Sequence, residues 1–189
     1  MNTIAHLVIA AAALSRKSDA MRNRAVTMGA VLPDASMFVF FAWSRWQGWT
    51  GTETWDVRYW TEPWQSLGAI SNSFALFAAL LALALWRKWS FVGVLCAAAL
   101  LHILCDFALH ADDAHRHFWP LSDWRFVSPV SYWDPAHLGW LGAAIETVSL
   151  LLASTILWQR FVRPKWRILI ASGAVLQSIA FCAQVFWTS

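Results

Sequence analysis

Charge is scarce in this chain. Asp, Glu, Lys and Arg make up only 13% of its 189 residues, where a soluble domain carries about a quarter. That deficit argues against an ordinary soluble domain and for a membrane protein. Cysteine is scarce too. Cys96, Cys105 and Cys182 all lie in apolar segments, cannot all pair, and show no CxxC spacing. They spell out neither a disulfide framework nor a cysteine metal knuckle. Cys105, beside Asp106, can be read as a metal ligand or, more plainly, as a small packing residue. A basic stripe or arm is also missing. The net charge of +3 is spread in small groups, which excludes nucleic acid as the expected partner and leaves anionic lipid as the counter-surface.

What is present is apolar and rich in indole. Hydrophobic residues make up 59%, the mean hydropathy is +0.48, and there are 15 Trp, a side chain that favours the membrane–water interface. Residues 63–86, 89–105 and 168–189 carry no Asp, Glu, Lys or Arg; 135–159 carry only Glu146, and 25–44 only Asp34. A span needs about 20 mostly apolar residues. The pattern predicts an all-α polytopic membrane bundle. It has five spanning helices near 25–45, 67–87, 89–110, 137–159 and 167–188, plus a short N-terminal membrane helix at 3–15. Outer loops fall near 46–66 and 111–136. No internal repeat or low-complexity tract divides the chain, so residues 1–189 read as one domain. The N-terminal run is not read as a signal peptide, because Arg16 and Lys17 follow it rather than precede it.

The basic residues set the expected orientation. One side holds Arg16, Lys17, Arg22, Arg24, Arg87, Lys88, Arg160, Arg163, Lys165 and Arg167; the other holds Arg45, Arg58, Arg116 and Arg125. The first side is expected to be cytoplasmic. Both termini and both long loops then face outward, which in a bacterial inner membrane is the periplasmic side. Eleven Trp fall on that outer side (six at 43–64, four at 119–140, and Trp187) and four inside (86, 89, 158 and 166). The asymmetry suggests outer loops lying on the membrane as a lid, suited to a lipid or lipid-linked substrate, or serving only as anchors.

Ionisable groups inside a membrane are costly and point to function. Here they are His6, Asp34, His102, Asp106 and Glu146, and the topology puts all of them toward the outer face. His102 and Asp106 are four residues apart and share one helical face, with His110 extending the stripe. Imidazole plus carboxylate suits zinc or a similar divalent ion. Asp34 follows Pro33, whose missing N–H frees a backbone carbonyl beside the carboxylate. The same residues fit a polar network that pins helix packing. In the loop after His110, Asp112 and Asp113 can receive a second metal, and Arg125 can hold an anion by a bidentate contact. The alternative is a loop stapled to itself by Arg–Asp pairs.

The pieces "AHLVIAAA", "GAVLPDAS", "LHILCDF" and "WPLSDWRF", carrying His6, Asp34, His102, Asp106 and Arg125 in that order, resemble the inner-membrane metal-dependent hydrolases that include the LexA-binding YdjM-like proteins. The resemblance covers roughly residues 5–126. It implies a multi-pass membrane fold and a hydrolase site at His6, Asp34, His102 and Asp106. The order of ligands is also similar to zinc-dependent phospholipase C, which points to a phosphoester. Two positions depart from the family pattern: Ser36 replaces a second acid, and Asn72-Ser73 stands where the family has Thr-His-Ser. An amide oxygen suits a hard cation and is a poor zinc ligand. Zinc, manganese or magnesium, a compensating ligand between His110 and His117, and a pocket without metal therefore all stay open. A narrower group sharing the 110–135 stretch carries a cobalamin-biosynthesis label. An amidotransferase of that pathway needs a water-accessible nucleophilic cysteine, which the three apolar cysteines do not offer.

Three functions are expected to compete. The first is a membrane-embedded hydrolase with His6, Asp34, His102, Asp106 and His110 around a divalent metal, Glu146 or Asp112 as base, and Arg125 on the anion. The second is an ion or small-solute binding or transport protein. The third is a scaffold with a buried His/Asp pin.

Overall fold

The computed structural model describes the backbone of residues 1–188 and the side chains of residues 1–185; the side chain of Trp187 lies outside the described residues. Among them the fold is all-helical, as the composition predicts. The eight α-helices are α1 (Thr3–Leu14), α2 (Ala20–Val31), α3 (Ala35–Gln47), α4 (Glu62–Ser71), α5 (Phe74–Trp86), α6 (Ser90–Leu109), α7 (Gly139–Arg160) and α8 (Pro164–Thr188). Four helical stretches are long and apolar enough to cross a membrane: α4 with α5 (Glu62–Trp86), α6, α7, and α8 as far as Val185. The bent pair α2 and α3 makes a fifth if it counts as one span.

α1 sits in the middle. It is only 12 residues long, about 18 Å, well short of the roughly 30 Å hydrocarbon core. α2, α6, α7 and α8 all pack against it. Small residues permit this, since Ala5, Ala10 and Ala12 are buried. Its C-terminal carbonyls would be left bare in an apolar setting. Arg160 at the end of α7 covers them, donating through Nη1 to Ala11 O (3.1 Å), Ser15 O (2.9 Å) and Ser15 Oγ (3.1 Å). Arg22 Nε donates to Leu14 O at 2.5 Å. Arg160→Ala should therefore cost about 2–3 kcal/mol by stranding these acceptors, read as a lower unfolding midpoint in detergent, while metal content stays unchanged. An unaltered midpoint would remove the cap from this account.

Three stretches differ from the sequence-based expectation; the helix expected at 67–87 is interrupted at Asn72 and Ser73, between α4 and α5. The stretch 25–45 is not one helix. Helical bonding runs to Leu32, whose N–H reaches Met28 O at 2.9 Å. Pro33 can donate no such bond, and the chain turns by 58° before α3 begins. Among the described residues α3 packs chiefly against α4, where Ser36 and Ser71 hydroxyls meet at 2.8 Å. The expected loop 46–66 is also partly helical. It contains a π-helical turn at Glu53–Arg58 and the start of α4 at Glu62. Phe40 anchors this region, buried among the rings of Trp49, Trp55, Tyr59 and Trp64 at 5.0–6.5 Å.

The loop after α6 is folded back onto the helix ends. Ser128 N donates to His110 O (3.0 Å), Ser128 Oγ to Ala108 O (2.7 Å) and Tyr132 N to Leu109 O (3.0 Å). These bonds do the capping that a glycine turn commonly does. The loop also sits on the start of α5, where Phe74 N donates to His117 O at 2.8 Å and Ser73 Oγ donates to Trp119 O.

Candidate metal centre

Four of the sequence-predicted residues converge. His6 comes from the second turn of α1, Asp34 from the α2–α3 break, and His102 and Asp106 from the last turns of α6. His6, His102 and Asp106 each put one ligand atom within 4.8 Å of the others, and all three are buried. Ligands 2.0–2.1 Å from a tetrahedral zinc lie about 3.4 Å from one another, so this spacing needs little adjustment.

Asp106 is the hub. Its Oδ1 meets His6 Nε2 at 2.9 Å, His110 Nε2 at 3.1 Å and the α-ammonium of Met1 at 2.7 Å. Its Oδ2 lies 2.9 Å from His102 Nε2. Asp34 enters from the other side, with Oδ1 3.5 Å from His102 Nε2 and Oδ2 accepting from Thr3 Oγ1 at 2.5 Å. Glu146, on α7, stands next to this group and accepts from the Asn2 backbone N–H at 2.6 Å. The carboxyls of Asp34, Asp106 and Glu146 thus share one buried region with one ammonium. Ionised, with neutral imidazoles, they leave an excess of negative charge that a divalent cation matches.

The orientation of His102 is the most informative feature. Its Nδ1 lies 2.7 Å from Ala30 O. A carbonyl only accepts, so Nδ1 carries the hydrogen. Nε2 then has two carboxylate oxygens close by, yet it is buried without a hydrogen-bond partner, because neither oxygen lies along its bond direction. In the neutral ring that nitrogen is a lone pair facing two anions. A ligating histidine has this outer arrangement, one nitrogen tied to a backbone carbonyl and the other free for a metal. The His6 ring stacks on it, with centroids 3.5 Å apart and planes 11° from parallel. Two charged imidazoliums would repel at that distance, so at most one ring of the pair carries a charge.

The other predicted residues are placed differently. His110 bridges the cluster and the loop, with Nδ1 3.0 Å from Asp113 Oδ2. Asp112 and Asp113 part company. Asp113 turns inward, where Trp133 Nε1 also donates to it at 3.0 Å. Asp112 is exposed, 3.9 Å from His137 Nε2, in a separate surface group with Asp134 and His137. Arg125 spends its guanidinium on structure, donating to Ala114 O at 3.0 Å and Gln65 Oε1 at 2.9 Å. Burial, with the Arg116 guanidinium nearby, lowers its pKa. Arg116 ties the loop to α4 through Glu62 (3.2 Å) and also meets Asp123 (3.1 Å). Asn72 uses Nδ2 to hold Pro33 O at 3.3 Å and Gly68 O at 3.1 Å. It satisfies the carbonyl exposed at the Pro33 break.

Sequence reasoning missed Thr3, which is three residues before His6 and so on the same face of α1; that spacing was the available signal. It also missed Ala30, which acts through its backbone and leaves no signal in residue type. Beside the site, α1, α2 and α6 pack through an apolar cluster of Ala10, Val26, Ala30 and Ala98, flanked by Leu7, Leu14, Val94 and Leu101. Comparison of the chain with models of protein families, with curated proteins and with solved structures finds no match.

Proposed function

We propose that this chain is a membrane-embedded, metal-dependent hydrolase. In this reading His6, His102, Asp106 and Asp34 hold one divalent ion, zinc or manganese by donor type. The observation that carries it is His102: tied through Nδ1 to Ala30 O, with an unpartnered Nε2 between two carboxylates. The ion would supply Lewis acidity and an activated water. Glu146 is the buried carboxylate beside the cluster that can take a proton, and it is assigned as the base. Asp112, exposed and paired with His137, is given no part in proton transfer, and Arg125 is given a positioning role in the loop. The bond cleaved is an ester or phosphoester. A lipid-linked substrate is favoured by the exposed Trp43, Trp46, Trp55, Trp60 and Trp124, which suit a membrane surface. The charge asymmetry of the loops favours a periplasm-facing site in a bacterial inner membrane. A permeation path has less support, because the apolar cluster beside the site offers no polar continuation.

The test is turnover. Protein in detergent, loaded with zinc, manganese or magnesium, is assayed on chromogenic esters, phosphomonoesters and phosphodiesters. Expected are chelator-sensitive hydrolysis and a drop of about 10²–10⁴-fold in Glu146→Gln, the usual contribution of a general base. Absence of turnover on every substrate by protein shown to contain metal would overturn the hydrolase reading. A second reading, a polar pin, has one observation in its favour. Asp106 Oδ1 already meets the Met1 ammonium at 2.7 Å, which balances its charge without a metal.

A further inference from the structure

The helices α1, α2 and α6 carry His6, Asp34, His102 and Asp106 at or next to one of their ends. At the opposite ends of the same helices, with α5, lies a groove of about 450 Å³. Its walls are apolar, with Leu81 and Leu85 from α5 and Val94 and Ala97 from α6. Two cations line it as well. Arg22 comes from the first turn of α2 and Lys88 from the turn between α5 and α6. No Asp or Glu lines the groove. Asp19, close to Arg22 in sequence, is engaged at the start of α2, where it accepts from the Arg22 backbone N–H at 2.9 Å.

The backbone at Lys88 is the unusual feature. Its φ is 57°, in the left-handed region. Its N–H donates to Leu85 O at 3.2 Å, and the Trp89 N–H donates to Ala84 O at 2.8 Å. This is the helix-ending turn in which glycine usually holds the left-handed position, because a Cβ there crowds the backbone. A lysine at that position costs stability and sets a cation at the groove. Its neighbour Arg87 does not do this, since its guanidinium lies over the Trp86 and Trp89 rings at 5.3 and 5.7 Å. Among the described residues the Lys88 ammonium pairs with no carboxylate. Arg22 gives only Nε to Leu14 O, so its two Nη groups are uncommitted.

We infer that this groove seats one anionic phospholipid, with its phosphate at Arg22 and Lys88 and an acyl chain along Leu81, Leu85 and Val94. The charges select an anion, since both ionisable groups at the groove are cations. The walls select a lipid over free phosphate, because a hydrated ion gains nothing from leucine and valine whereas an acyl chain is removed from water by them. Basic side chains between membrane-spanning helices are a known setting for anionic head groups. The site shares no residue with the metal cluster, so it stands or falls apart from the hydrolase reading.

The experiment is native mass spectrometry of the full chain in a neutral detergent, titrated with phosphatidylglycerol or phosphatidylcholine. Each basic side chain at an anionic lipid surface is worth about fivefold in binding. Expected are one tightly held phosphatidylglycerol per chain, weaker phosphatidylcholine, and a loss of about 30-fold in Arg22→Gln/Lys88→Gln. Arg16→Gln/Lys17→Gln takes the same charge from exposed side chains of the same end and should leave binding unchanged. Lys88→Gly carries the test if the Arg22 variant does not fold. It should raise the unfolding midpoint by relieving the backbone, and at the same time weaken phosphatidylglycerol about fivefold. Wild-type affinity in Lys88→Gly overturns the assignment of Lys88. Equal losses in the two double variants mean diffuse charge attraction and overturn the groove. Equal binding of the two lipids, or displacement of phosphatidylglycerol by inorganic phosphate, overturns the lipid reading.

Discussion

Replacing His102 and Asp106 together by alanine is expected to abolish the proposed metal site. The metal content of the purified protein falls by about one ion per chain, and hydrolysis falls to background. The size of the effect follows from the ligand count. If four ligands share the roughly 10–16 kcal/mol of a structural zinc site about equally, losing two costs about 5–8 kcal/mol, or some four to six powers of ten in affinity. The change removes both members of one close contact, His102 Nε2 to Asp106 Oδ2 at 2.9 Å. It leaves His6, His110 and the Met1 ammonium without Asp106 and Asp34 without His102, so stability falls as well. Circular dichroism must therefore show retained helix before a metal count is read. His102→Gln serves as the milder variant if the double one does not fold. Unchanged metal content in a helical double variant would sink the proposed centre. A lower unfolding midpoint with no metal in either protein, even after zinc, manganese and magnesium are added back, would establish the polar pin instead.

Much of this cluster is legible in the sequence. His102 and Asp106 are four apart in an apolar run, and a helix has one way to place them, on one face. His6, Asp34 and Glu146 are ionisable groups in apolar segments, and such groups seek one another because nothing else there solvates them. The structure adds what spacing cannot encode. The 58° turn at Pro33 leaves carbonyls at the helix break that find distant donors, Pro33 O from Asn72, 39 residues away, and Ala30 O from His102. Asp112 and Asp113 are identical in type and adjacent, yet one is exposed and the other tied to His110 and Trp133. Which one turns inward is decided by the fold-back of Ser128 and Tyr132 onto the end of α6, a long-range event. Arg125 was expected at an anion. It holds a carbonyl and an amide instead, because the loop has to be fastened to α4. His117 resembled its neighbours in the loop sequence; only packing against Phe74 and Phe107 makes it a buried ring with one free nitrogen.

Gly29→Ala is expected to be a strongly damaging single-methyl change, and it should damage the site as well as the fold. Gly29 lies on α2 where that helix packs against α6. A Cβ at this position would stand 2.1 Å from Leu95 O and 2.9 Å from the Ala98 Cβ. Leu95 O is backbone in the middle of a helix and has no rotamer to escape into. The two helices must move apart by about an ångström, and overpacking of a rigid contact costs about 3 kcal/mol or more. The next residue is Ala30, whose carbonyl orients His102 from 2.7 Å. Separation of α2 from α6 lengthens that bond and lets the ring turn, so metal affinity falls along with the unfolding midpoint. Losing an outer partner of a ligating histidine typically costs 10–100-fold in affinity. Gly93→Ala is the control. It sits on α6 too, but its added Cβ would meet only the Ala84 Cβ and Leu81 Cδ1, each at 4.0 Å, an ordinary contact. There the exchange should gain up to about 1 kcal/mol from helix propensity and leave metal binding alone. Denaturation midpoints and metal affinities of the two variants, measured side by side, decide the matter. If Gly29→Ala unfolds early yet binds its ion at wild-type affinity, the Ala30 carbonyl does not hold His102 in place for the metal. If both variants behave alike, the α2–α6 contact is looser than the 2.1 Å clearance requires.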